Sequence, residues 1–193
     1  MTMVLNGTVE PYIDIPQQVV RFRFLDASVK GVYNISFDDD RTFYQIATDG
    51  GLLEAPVSLT RVVVAPGERV ELLFDFTSET VSNEFYLMSY STEFGGTVAG
   101  SCNNGPACGN GPLDATDFNF LKMIVVPKTI SPVTNVPSSL VSVNYLDEAD
   151  VDETRVKQLL GPASPGAPFT IDGGSFDMSV INDYIPLNPS DKI

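Results

Sequence analysis

Apolar residues recur at every second position in several short stretches of this chain. Phe22 and Phe24 alternate with Arg21 and Arg23, and Tyr33, Ile35 and Phe37 with Asn34 and Ser36. Val70, Leu72 and Phe74 alternate with Glu71 and, less cleanly, with Leu73 and Asp75. Phe85 and Leu87 form a further short run, and Leu121 to Val126 a more continuously apolar one. Successive side chains of a strand point to opposite faces, so this period of two predicts strands with one buried face. Between them lie Asp38-Asp39-Asp40, Asp49-Gly50-Gly51 and Ala65-Pro66-Gly67-Glu68. Proline presets φ and glycine admits positive φ, so each cluster suits a reversal between antiparallel strands. No long helical periodicity competes, and the spacing predicts an all-β sandwich or barrel rather than βαβ units.

After Val126 the pattern changes. Pro127, Pro132 and Pro137 interrupt a stretch rich in Ser, Thr and Val, and an acidic run from Asp147 to Glu153 follows. This composition predicts an extended connector. Glu153 to Leu160 reads either as a short helix closed by Gly161 or as the first strand of a new domain. Phe169 to Gly174 predicts a strand entering a tight turn, and Tyr184 to Ile193 starts another strand-like element. The expected organisation is a domain over 1–127, a linker over 128–152 and the start of a second, incomplete β domain over 153–193.

Composition narrows the chemistry. The chain of 193 residues contains 43% hydrophobic residues, enough for a packed core. Eleven basic against 25 acidic residues give a formal charge of −14, which opposes binding to nucleic acid or to an anionic membrane leaflet. No apolar run approaches the roughly 18–20 residues that span a bilayer. Met1 to Leu5 is too short for a signal peptide, and the acidity fits a soluble protein outside the cell, whether extracellular, periplasmic or cell-surface.

Histidine is absent altogether. Imidazole is the commonest ligand for copper, zinc and non-haem iron and the usual proton carrier near neutral pH. A hydrolase built on Ser or Cys lacks its base, and no G-x-S-x-G elbow is present. Cys102 and Cys108 lie in SCNNGPACGNG, a loop by its glycines, asparagines and proline; they form either a small disulfide or two free thiols. Glu68-Arg69 and Asp49 read as turn residues rather than as catalytic groups, and Asp38-Asp39-Asp40 as a solvated hairpin tip rather than a calcium loop. Asn6-Gly7-Thr8 and Asn34-Ile35-Ser36 match the glycosylation triplet, a pattern that often arises by chance.

Four segments in order carry a family resemblance: Leu5-Asn6-Gly7-Thr8 with Pro11-Tyr12, then RFRFLDAS, QIATDGGLLEAPV and APGERVELLFDF. Together they resemble the second domain of a multicopper oxidase, closest to the bacterial laccase and spore-coat branch. FTIDGGSFDMSVINDYIPLNPSDKI is similar to the opening of the third domain of the same family. The resemblance implies a cupredoxin-like Greek-key β-sandwich. It also implies an intact parent that oxidises phenol-like or metal substrates at a type 1 copper and reduces dioxygen to water at a trinuclear copper cluster. No copper ligand of the family can be carried onto a position here. The expectation is therefore a fragment with no catalytic, cofactor-binding or metal-binding residue of its own, architectural in role. Its partners would be the copper-bearing first and third domains of the parent, and its unfinished β edges invite pairing with a second copy. In related bacterial laccases a glycine- and cysteine-bearing loop borders the substrate cleft; Cys108-Gly109 is the nearest match and the candidate substrate-cleft loop. A free-standing, non-catalytic adhesion or protein-binding sandwich is the alternative.

Overall fold

The computed structural model describes residues 3–95, 98, 115–151 and 153–179. They form two compact units, Met1–Val143 and Asn144–Ile193. Along the first run β1 (Val4–Leu5), β2 (Thr8–Val9), β3 (Tyr12–Pro16), β4 (Val19–Leu25), β5 (Tyr33–Phe37), β6 (Phe43–Thr48), β7 (Gly51–Leu59), β8 (Val62–Val64), β9 (Arg69–Asp75), β10 (Glu84–Ser89) and β11 (Phe118–Val126). One sheet has the order β3-β11-β10-β5-β8 and the other β4-β9-β6-β7, so consecutive strands repeatedly change sheet. The pairings are antiparallel except for β3, which joins β11 in parallel. This is the expected Greek-key sandwich.

The alternation in the sequence maps onto the two faces. In the β4–β9 pair, Phe22 stands opposite Leu72 and Phe24 opposite Val70, and these residues point into the sandwich. Arg21 and Arg23 lie on the other face, where both pair with Glu71. Aromatic rings fill the centre. Phe74 meets Phe37 edge-on with centroids 4.7 Å apart and Phe43 at 5.6 Å, favourable geometries for rings with negative faces and positive edges.

Leu73 breaks the alternation on β9 for a reason that lies outside its own strand. With Val19 and Ile46 it forms a small apolar patch on the outward face of the four-stranded sheet, and Val136 and Leu140 pack over that patch. The proline-interrupted chain after β11 is held there by the Val19 N–H donating to the Val133 carbonyl at 2.7 Å. A second bond runs from the Leu140 N–H to Glu54 O at 2.8 Å. It has no regular secondary structure, yet it belongs to the first unit as far as Val143.

The predicted reversals form with local bonds. At Pro66-Gly67 the glycine has φ of 88°, a conformation that costs a side-chain-bearing residue about 1 kcal/mol. Glu68 closes this turn by accepting the Ala65 N–H at 2.7 Å. Asp49 behaves differently from its sequence reading: its Oδ1 accepts from the backbone N–H and the guanidinium of Arg69, both at 3.0 Å, and so ties two reversals together. The Asp38-Asp39-Asp40 tip is not merely solvated. Asp38 accepts the Tyr86 N–H, Asp39 is forked by Arg41, and Asp40 pairs with Arg61.

In the second unit, β12 (Leu159–Leu160), β13 (Thr170–Ile171) and β14 (Gly174–Ser175) make a small antiparallel sheet. No helix forms among the described residues from Glu153 to Leu160, and the segment ends in β12, so the strand alternative holds at Leu159–Leu160. The turn at Asp172-Gly173 joins β13 to β14, as the Phe169 to Gly174 pattern predicts. Leu159, Phe169, Phe176 and Met178 remain largely exposed.

Candidate functional site

The candidate substrate-cleft loop leaves the sandwich after β10 and returns to it at β11. Cys102, Cys108 and Gly109 themselves lie outside the described residues, and so does the candidate disulfide. Both ends of the loop are described, and side-chain hydrogen bonds tie them to each other and to the sandwich.

The exit is a 3-10 turn, Ser91–Phe94, ended by Gly95 in the left-handed region at φ of 60°. Thr92 ties this exit to the return: its N–H and its hydroxyl each bond Asp117 Oδ1 at 3.0 Å. One residue on, Glu93 is gripped from two sides. Arg61 reaches it with Nε at 3.0 Å and Nη2 at 2.9 Å, and the Asn34 side-chain amide donates to it at 2.7 Å. Arg61 also donates through Nη1 to Asp40 Oδ1 and to Ser36 Oγ, each at 2.7 Å, and its guanidinium lies 4.0 Å over the Tyr90 ring. A planar fork of five donors is the side chain suited to hold so many acceptors at once. Below it runs a buried polar column in which Ser36 Oγ donates to Thr60 O at 2.6 Å and Ser89 and Ser91 hydroxyls lie 3.3 Å apart.

The charges are mutually satisfied. The Arg61 hydrogen bond holds the Glu93 carboxyl below the usual carboxylate range against the opposing effect of burial, and Asn34 adds to it. Glu93 in turn, with Asp40, holds Arg61 above its ordinary value although burial resists. Burial pushes the Tyr90 phenol up, and the Asp40 charge pushes it further. These shifts hold Glu93 in its charged form and Tyr90 in its neutral one. Its chemistry is that of a clamp: charge-assisted bonds that fix where a long loop leaves and rejoins a rigid scaffold.

Sequence reasoning misses the clamp. Arg61, Glu93, Asn34, Thr92 and Asp117 are scattered along the chain, and only the sheet order brings them together. The Asn34 triplet is not an acceptor site in the folded chain, since the residue is buried and its amide is engaged by Glu93 and by Tyr90 O. Asn6 sits exposed at the β1–β2 tip.

Copper does not fit these residues. A blue centre takes two imidazoles and a thiolate, and the chain has no histidine. Among the described residues no group of three or more ligating side chains converges on a metal-sized space. Nor is any described helix long and apolar enough to cross a membrane.

No family model matches the chain. It is 38% identical over 97 residues to a laccase of Bacillus subtilis, an alignment that covers 50% of this chain and 18% of the laccase. It is 43% identical over 82 residues to the cell division protein FtsP of Xenorhabdus nematophila, covering 42% of this chain and 17% of that one. The crystal structure of the McoA multicopper oxidase from Aquifex aeolicus superposes with a TM-score of 0.69 at 24% identity, over 90% of this chain and 34% of that protein. The chain thus spans less than a fifth of the length of these curated relatives. A Greek-key sandwich similar in sequence to a laccase over half of its length, and sharing its fold with a multicopper oxidase of known structure, is similar to a cupredoxin-like portion of the multicopper oxidases.

Proposed function

We propose that this chain is the central, copper-free portion of a multicopper oxidase, the second domain with the start of the third, and that its role is architectural. The observation that carries the reading is the coexistence of the oxidase fold with a sequence devoid of imidazole. Residues 1–127 hold two copper-bearing domains of the same parent at a working separation, 128–152 lead onward, and 153–193 open the following domain. The clamp of Arg61, Glu93, Thr92 and Asp117 presents the loop bearing Cys108 and Gly109 to the substrate side. The parent oxidises phenol-like or metal substrates, reduces dioxygen to water and works outside the cytoplasm, where Cys102 and Cys108 form a disulfide.

Two experiments test this. The purified chain, loaded with copper and dialysed, is expected to retain well under one equivalent and to leave a phenol unoxidised; an intense blue band from this chain alone overturns the reading. Exchange of residues 96–114 into a laccase should change kcat/KM unequally across several phenols. Unchanged kinetics across the set removes the cleft-lining role.

The similarity to FtsP favours a second reading, a non-catalytic protein-binding sandwich with the same fold. The coding sequence that flanks these residues separates the two, since a histidine-rich segment within a few dozen codons after Ile193 belongs to an oxidase.

A further inference from the structure

The β1–β2 hairpin closes on Asn6-Gly7. Leu5 pairs with Thr8, so these two residues are the whole loop, and their φ angles of 50° and 79° are both left-handed. That is the type I′ turn, which favours Asn followed by Gly because both tolerate positive φ. Asn6 is exposed, and a Cβ added at Gly7 would meet nothing within 4 Å. Among the described residues neither the Asn6 side-chain amide nor the Gly7 N–H makes a hydrogen bond.

The amide carbon of an asparagine is an electrophile within one ring closure of the next residue's backbone nitrogen. Glycine leaves that nitrogen least shielded, since no Cβ stands beside it. Among the described residues Asn34, Asn83, Asn119, Asn135 and Asn144 precede Ile, Glu, Phe, Val and Tyr, and only Asn6 precedes glycine. The left-handed turn itself opposes closure, because the ψ of that conformation sets the Gly7 nitrogen anti to the Asn6 Cβ. Closure therefore waits for the turn to open. Two residue pairs hold it shut, Val4 with Val9 and Leu5 with Thr8, in a two-stranded sheet of their own. A ladder that short opens locally at small cost. The equivalent turn of the second unit, Asp172-Gly173 at φ of 52° and 81°, differs at the reacting group. Its carboxylate is held by the Gln158 N–H at 2.8 Å and by Lys157 at 3.2 Å.

We propose that Asn6 is a site of spontaneous covalent modification, deamidated through a succinimide at a rate set by opening of the β1–β2 hairpin. The Gly7 nitrogen loses its proton to hydroxide and bonds to Asn6 Cγ. The Cγ–Nδ2 bond breaks, and ammonia leaves with a proton taken from water. A second water then opens the ring at one carbonyl or the other, giving isoaspartate or aspartate. Both products add a negative charge to a chain already at −14. Isoaspartate also lengthens the backbone by a methylene between the paired strands, which shifts Leu5, a residue packed against the core, out of register with Thr8. The site is independent of the architectural reading, since it lies wholly within one hairpin.

The test ages the whole 193-residue protein in mildly alkaline buffer and follows each asparagine by peptide mapping. An isoaspartyl methyltransferase with a labelled methyl donor counts the isoaspartate formed. Asn6 is expected to convert at least tenfold faster than Asn83, Asn119 and Asn135, with isoaspartate in excess over aspartate. Val9→Gly weakens the cross-strand pair with Val4 outside the core, Val9 being 53% exposed. It should speed Asn6 at least threefold while the other three asparagines keep their rates. Conversion at Asn6 no faster than at those three, aspartate as the sole product, or a Val9→Gly rate equal to that of the wild type overturns the proposal.

Discussion

Removing the Arg61 guanidinium is the sharpest perturbation of the loop clamp. Arg61→Ala deletes the forked contact to Glu93, the bonds to Asp40 and Ser36, and the stacking on Tyr90. A hydrogen bond to a charged group contributes about 1.5–3 kcal/mol when desolvated. Arg61 is a quarter exposed and Glu93 44% exposed, so the pair must be discounted toward the surface value of under about 1 kcal/mol. The buried Ser36 and the stacked ring add to this, because Ser36 keeps its own bond to Thr60 O and loses only the incoming donor. The sum is about 2–3 kcal/mol, which at roughly 3 °C per kcal/mol for a domain of this size lowers Tm by about 6–9 °C. Arg61→Lys keeps the charge and loses the fork, so it should recover no more than about half of that loss. A double-mutant cycle with Glu93→Gln, read by thermal and urea unfolding, should return a coupling of about 1 kcal/mol. Amide exchange at 91–95 should accelerate in Arg61→Ala more than at β10. A coupling near zero together with a Tm within about 2 °C of wild type would refute the clamp and leave Arg61 as an ordinary surface cation.

The same clamp predicts an acid signature. The folded-state Glu93 carboxyl lies below its ordinary value of 4.5, so its stabilisation is complete above that pH and is lost as pH falls through the folded value. The stability difference between wild type and Glu93→Gln should accordingly be flat at neutral pH and shrink below about pH 4.5. For Asp39, burial pushes the carboxyl up but the Arg41 fork overrides it, so the net shift is down and the sign is the same. Phe74→Ala, at the centre of the aromatic core and 1% exposed, should cost about 3–5 kcal/mol by urea denaturation, enough to leave much of the chain unfolded at 37 °C. Gly67→Ala meets no steric obstacle, and its cost of about 1 kcal/mol should come from the positive φ alone. Asp117→Ala should speed proteolysis within 96–114 while lowering Tm by less than Arg61→Ala does.

The strands with a clean period of two were legible because burial on one face writes itself into alternate positions: β4, β5, β9, β10 and β11 follow from Phe22, Ile35, Leu72, Leu87 and Met123 and their neighbours. β7 was not legible as a strand. It is an edge strand containing Pro56, and its exposure follows no period of two because the register shifts between Gln45 and Ala47 on its partner β6. β8 was hidden by its brevity, and β3 by exposed Tyr12 beside buried Ile15. The clamp left no local trace, since Asn34, Asp40, Arg61 and Glu93 become neighbours only through the sheet order. Family resemblance pointed to the candidate loop bearing Cys108 and Gly109, which lies outside the described residues; it could not supply the bonds between Thr92 and Asp117 at the base of that loop.

The segment laid over Leu73, Ile46 and Val19 has a practical corollary for anyone cutting this gene. A truncation placed after the last long strand, at Pro127, would bare three buried aliphatic side chains on a sheet face and strip two backbone bonds from it. Such a piece should self-associate at concentrations where one ending at Val143 stays dispersed, because a newly uncovered greasy surface seeks any cover available. In this protein the tether is itself a wall of the house it leaves.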